Sequence, residues 1–265
     1  LQCRRLHHRL SHLGRPHLLH RPAYRRVSSV ARHVGAAQVR TGDGVRPLAG
    51  DRAAGGWCGR EGGQVAHAGG RDYLDFLVEA MGEPRWFDEG NIRSLNTGRA
   101  VAVIKLAAEK AGWGKTLPAG RGLGLAFCFS HAAHVAEVAE VSVDANKKIT
   151  VHQVTVAVDV GPIINMSGAL SQVEGAVVDG LSTMMGQKIT FENGAVQQSN
   201  FHDYDVLRIE DSPKVVTHFI QSEYSPTGLG EPALPPLAPA VTNAIFAATG
   251  QRVRKMPLTD EGYSI

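Results

Sequence analysis

Cysteine is scarce in this chain, and its three positions, Cys3, Cys58 and Cys128, leave one sulfur unpaired in any scheme. They are uninformative about disulfides, and no C-x-x-C or C-x₄-C-x₂-C spacing exists to hold zinc or an iron–sulfur cluster. Any redox chemistry would have to pass its electrons to another chain. No run of about 18 apolar residues is present, so no transmembrane segment is expected. Arg4-Arg5 is not followed by a long apolar stretch. No export signal is visible, and the compartment stays open.

Further absences divide the chain. Residues 1–70 contain no Lys, Ile, Phe, Asn or Met, yet hold twelve Arg and seven of the twelve His, against three acids, Asp43, Asp51 and Glu61. The remainder carries sixteen basic and twenty-two acidic residues, so the overall +3 is the sum of two unlike segments. The first is poor in what builds a core and shows neither helical nor strand periodicity, so residues 1–65 read as a basic, irregular segment. An arm for nucleic acid would use this charge on phosphates, but only Tyr24 and Trp57 could stack on bases, and no nucleic-acid partner is expected. The histidine spacings His7, His8, His12 and His17 match no closed metal-ligand set. The joint rise of Arg, Gly, Ala and His is the pattern of GC-rich coding sequence read in a shifted frame.

From residue 66 onward the sequence reads as one α+β domain, with antiparallel hairpins packed against helices. Leu74, Leu77, Val78 and Met81 recur at helical spacing before Gly82, and Val101, Ile104, Leu106, Ala108 and Ala111 repeat the pattern before Gly112. GLGLAFCF, HVAEVAEVSVD and ITVHQVTVAVD are rich in β-branched residues, and Asp144–Lys148 supplies a hairpin turn between the last two. GRGLG at 120–124 precedes a strand instead of joining a strand to a helix. It reads as a turn into the strand and not as a phosphate loop. Cys128, His131 and His134 read as an inert strand thiol and as solvent-facing or core-satisfied imidazoles.

Residues 165–186 form a helix with Asn165 or Ser167 as N-cap and Gly186 as stop. At about 100° per residue, Gly168, Gln172, Gly175 and Asp179 share one face, and interior glycines cost about 1 kcal/mol each relative to alanine. Something is expected to press on that face, either a neighbouring strand or helix or a bulky cofactor touching Gln172. Glu192-Asn193-Gly194 marks a tight hairpin, 215–221 a strand, and 239–249 a closing helix before Gly250.

The stretch GLGEPALPP, residues 228–236, carries the candidate chemistry. Gly228 and Gly230 let the backbone approach a large group, and Pro232 confines Glu231 to extended conformations. A glutamate in such a loop can be a capping or exposed residue as well as a catalyst.

GLGEPALPPLAPAVTNAIFAATGQRVRKMPL resembles the closing segment of the molybdenum-binding large subunits of the xanthine oxidase family, above all the isoquinoline 1-oxidoreductase β-subunit and aldehyde dehydrogenase branch. VDVGPIIN and SQVEGAVVDGLS match in order and spacing, and the similarity covers roughly residues 65–265. The resemblance implies a molybdenum–molybdopterin cofactor, in its cytosine dinucleotide form, with Glu231 as general base toward water activated by the metal. It places Gln172, beside Gly175, against the pterin, with Gly168, Asn165, Gly228 and Gly230 as further candidates for the pocket. It also implies a small [2Fe-2S] partner subunit, the N-terminal part of a longer large subunit, and an aromatic N-heterocycle or aldehyde as substrate. The alternative is a catalytically inactive remnant of the same domain.

Overall fold

The computed structural model describes residues 60–265. Most of the basic segment, including Cys3, Cys58 and the clustered histidines, lies outside the described residues. Its last part does not stay irregular as expected: Arg60–Ala68 form helix α1. The two glycines that obscured its periodicity are close contacts. A Cβ on Gly62 would lie 3.3 Å from the Tyr73 ring, and one on Gly63 would lie 2.9 Å from Asn243 Oδ1.

Helix α2 spans Tyr73–Met81, with the Asp72 carboxylate accepting from the Leu74 and Asp75 amides. Helix α3 spans Thr97–Ala111, capped by Asn96 at its start and by Gly112, in the left-handed conformation, at its end. Both match the apolar spacing and the stop glycines.

Three strands follow as a meander: β1 (Arg121–Ser130), β2 (Ala133–Val143) and β3 (Ile149–Asp159). Helix α4 (Met166–Gly186) and the small hairpin β4 (Phe191–Glu192) and β5 (Ala195–Val196) lead to β6 (Lys214–Phe219), and α5 (Leu237–Thr249) closes the order. The sheet runs β1-β2-β3-β6. Its first pairs are antiparallel, but β6 joins β3 in parallel, with Val154 opposite Val215. The expected α+β fold of antiparallel hairpins packed with helices is present, and α4 adds the crossover that the parallel pair requires.

Side chains alternate across this sheet. Leu125, Phe127, Ala136, Val138 and Ala157 pack against α1, α2 and α3, whereas Val135, Ala139, Val154, Val156 and Val158 pack against α4 and α5. The result is a helix–sheet–helix sandwich. Gly122 and Gly124 are strand residues under α5, not merely an entry turn, and their lack of Cβ decides how close that helix lies. A Cβ on Gly124 would sit 2.0 Å from the Ala240 carbonyl oxygen. Asn243 on α5 donates to the Leu125 carbonyl oxygen and fixes the register of helix on strand.

Candidate functional site

The loop between β6 and α5 carries Glu231, and the open end of β3 holds that loop. The Ile220 amide donates to the Val158 carbonyl at 2.8 Å and the Thr227 amide to the Val160 carbonyl at 3.1 Å. At the strand end Asp159 accepts from Arg99 Nε and Nη2, both at 2.8 Å, and from the Ser222 hydroxyl at 2.7 Å. Burial would raise the Asp159 carboxyl, but the Arg99 and Ser222 hydrogen bonds and the Arg99 charge outweigh it and hold the group below its ordinary value. The Arg99 guanidinium lies over the Tyr224 ring at 4.4 Å, and Trp86 meets that ring edge-on. Gly161, at φ 78°, passes so near that a Cβ would stand 2.4 Å from the Tyr224 carbonyl oxygen. The VDVG sequence is thus the anchor of the Glu231 loop.

At the far end of the loop Pro232 and Ala233 are buried, and the Leu234 amide closes a turn onto the Glu231 carbonyl at 2.7 Å. The Glu231 side chain projects from that turn with about half its surface exposed, 54%. Gly230 abuts helix α4, where a Cβ would lie 2.9 Å from Gln172 Oε1. Gly228 abuts the β1–β2 turn, where a Cβ would lie 2.9 Å from His131 Cβ. Glu231, Gly230, Gly228 and Gln172 are therefore brought together.

The rest of the proposed helix face behaves differently. Nothing among the described residues presses on Gly175, which has open space where a Cβ would go, and Gln172, Gly175 and Asp179 are exposed. The close approach occurs instead at Gly180, against Leu237 and the Leu234 carbonyl. Asn165 is exposed and serves as the N-cap: its Oδ1 accepts from the Gly168 amide at 3.1 Å and the Ser167 hydroxyl at 3.0 Å. Gly168 touches that cap, about 6 Å along the helix from Gln172 at 1.5 Å per residue. Gly186 is the last helical residue, and the cap that follows is Gln187 in extended conformation.

Of the two histidines read as solvent-facing or core-satisfied, His131 is exposed and His134 is buried. His131 sits in the β1–β2 turn with Nε2 3.6 Å from Glu231 Oε2, and its Nδ1 is 3.0 Å from the Ser130 hydroxyl. The turn residues His131 and Ala132 have φ of 51° and 63°. A His-Ala pair carries none of the Asn-Gly signature of such turns. His134 is fully buried, and its Nε2 accepts from the Asn96 amide at 3.1 Å. Burial above all, helped by the Arg99 charge, pulls the imidazole down to about 3 against the opposing effects of Asp159 and the Asn96 hydrogen bond. Cys128 is buried in β1, as expected of a strand thiol.

The arrangement defines a class: a sandwich whose glycine-bearing loop, with Glu231 on it, abuts the crossover helix at Gln172. Residues 91–213 match the molybdopterin cofactor-binding domain family. The chain is 35% identical over 204 residues to a membrane-bound aldehyde dehydrogenase of Gluconacetobacter polyoxogenes, a match covering 74% of this chain and 26% of the relative. It is 35% identical over 169 residues to the isoquinoline 1-oxidoreductase β-subunit of Brevundimonas diminuta, covering 62% of this chain and 22% of that one. With a nicotinate dehydrogenase subunit of Pseudomonas putida the identity is 32% over 209 residues, covering 71% and 17%. The chain is thus similar to molybdenum-binding subunits and carries, over residues 91–213, a molybdopterin cofactor-binding domain. It spans about a quarter or less of the length of these relatives. No described helix is long and apolar enough to cross a membrane.

Proposed function

We propose that this domain forms part of the cofactor and substrate site of a molybdenum hydroxylase that oxidises an N-heterocycle or an aldehyde, with Glu231 as its base. The observation that carries the reading is the meeting of the Glu231 loop and Gln172, where a Cβ on Gly230 would lie 2.9 Å from the Gln172 amide oxygen. The residues present fit the cofactor. Gln172 offers an exposed amide, and Gly175 leaves backbone open where a flat, bulky group can lie against α4. Gln172 and Gly175 would hold the pterin, with Gly228 and Gly230 giving it access to the loop. Asn165 and Gly168 contribute by fixing the start of α4. When bound, molybdenum supplies Lewis-acid activation of water and accepts the electrons of the oxidation. Glu231, on a backbone stiffened by Pro232, would accept the proton of a water acidified by such a metal, for which a carboxylate suffices. A small [2Fe-2S] subunit would receive the electrons, and the remaining parts of the site would come from the N-terminal portion of a full-length large subunit. The cofactor form is the cytosine dinucleotide.

The test is metal and pterin analysis of the chain co-expressed with its genomic neighbours, together with oxidation of N-heterocycles and aldehydes by wild type and Glu231→Gln. Bound molybdenum, and a fall in turnover of about 100-fold or more in the variant, are expected of a lost general base. Wild-type turnover in Glu231→Gln removes the base assignment. Protein without metal or pterin points to the inactive remnant instead.

A further inference from the structure

Pro232 restricts the backbone of Glu231 but leaves its side-chain torsions free, and a half-exposed carboxylate loses orientational freedom only if something holds it. Across the β1–β2 turn, His131 Nε2 stands 3.6 Å from that carboxylate. His131 is itself held at ring and backbone. Its Nδ1 meets the Ser130 hydroxyl, and its backbone carbonyl oxygen accepts from the Gly228 amide at 3.4 Å, within the glycine loop that leads to Glu231. The turn that delivers it places two residues with side chains, His131 and Ala132, in the left-handed region. Such backbone persists where surrounding structure over-determines it, and it concentrates at functional sites.

We infer that His131 is a positioning residue for Glu231: Ser130 Oγ–H donates to Nδ1, which leaves Nε2–H to donate to the Glu231 carboxylate and fix its rotamer. The 3.6 Å separation exceeds a hydrogen bond, and a small side-chain rotation of these two exposed groups closes it. This role rests on the reading of Glu231 as the base. It assigns to the β1–β2 turn a part in the site that the glycine loop and α4 do not supply.

The experiment uses His131→Asn. Asparagine tolerates the left-handed conformation and keeps the turn, but its shorter amide cannot reach the carboxylate. On the full chain without cofactor, three-bond NMR couplings about the Glu231 Cα–Cβ bond should report one dominant rotamer in wild type and rotamer averaging in His131→Asn. In the cofactor-loaded enzyme kcat should fall about 10-fold or more with KM unchanged, in the range that misplacing a reacting group by about 1 Å produces. Equal averaging of the Glu231 couplings in both proteins overturns the positioning role, whatever the activities. Retained turnover in Glu231→Gln overturns the base reading separately, since the coupling measurement does not depend on catalysis.

Discussion

Arg99 and Asp159 meet in two hydrogen bonds of 2.8 Å at the end of β3, each almost sealed from solvent with side-chain exposures of 4% and 2%. The pair joins the first turn of α3 to the strand end, and through Ser222 it reaches the loop that carries Glu231. It is the latch between the scaffold and the site.

Removing one member leaves the other charge buried without compensation, which costs more than the pair contributes. Asp159→Asn should destabilise the chain by about 3 kcal/mol in urea unfolding. The double variant Arg99→Met/Asp159→Asn should recover part of that loss. Because the folded Asp159 carboxyl lies below its ordinary value, its contribution is present above about pH 4 and disappears as pH falls through the folded value. A double variant no better than Asp159→Asn would show that the latch is not an ion pair in energetic terms.

Glu137 presents the opposite case. It lies in the middle of β2, fully buried on the face that receives α4 and α5, and neither carboxyl oxygen has a hydrogen-bond partner among the described residues. Burial pushes the group well above the carboxylate range and so favours its uncharged form in the fold. A raised folded value means stability is fully present below about pH 4.5 and declines as pH rises through the interval up to the folded value. Glu137→Gln cannot lose a proton. Thermal unfolding between pH 5 and 9, at about one-unit steps, should fall with pH in wild type and less steeply in the variant; parallel curves would exclude an uncharged Glu137.

Two glycines should respond to alanine with opposite signs. At Gly124 the added methyl would strike the Ala240 carbonyl at 2.0 Å, backbone against backbone, and separate α5 from β1. A loss of about 2 kcal/mol or more is expected from such overpacking. At Gly175 the methyl meets nothing, in an exposed helix interior, and should stabilise by about 0.5–1 kcal/mol. The same Gly175→Ala should lower pterin occupancy of the purified protein if that face receives the cofactor. Unchanged occupancy would move the pterin off Gly175.

The parts of this architecture that were legible are those fixed within a few residues. Asn165 at the head of α4, Gly112 behind α3 and Asn193-Gly194 in the small hairpin each announce a local backbone geometry, and each performs it. The parallel pairing of β6 with β3 was not legible, because it depends on a crossover of more than fifty residues whose direction no local pattern encodes. The glycine pattern in α4 pointed to a crowded face at Gly175, whereas the crowding falls on Gly180. Helical periodicity shows which residues share a face and not what lies opposite. The neighbourhood of Glu231 and Gln172 came from family resemblance, since nothing in their spacing across fifty-nine positions brings them together. The place of His131 beside Glu231 was not legible, because its turn uses residues that ordinarily avoid positive φ.

His134 offers the sharpest separation of hydrogen bonding from charge. Its Nε2 accepts the Asn96 amide at the head of α3, and replacing it with leucine strands that donor in the core. At neutral pH His134→Leu should therefore cost about 1–3 kcal/mol. In acid the comparison changes. The folded imidazole is held down at about 3, while the unfolded one takes up a proton near pH 6.5, so wild type loses stability as pH falls across that interval. Leucine has no proton to bind, and the variant escapes this loss. Urea unfolding of both proteins at several pH values between about 7 and 4 should show the gap closing as pH falls. A constant gap would mean that His134 is not kept neutral by its burial beside Arg99.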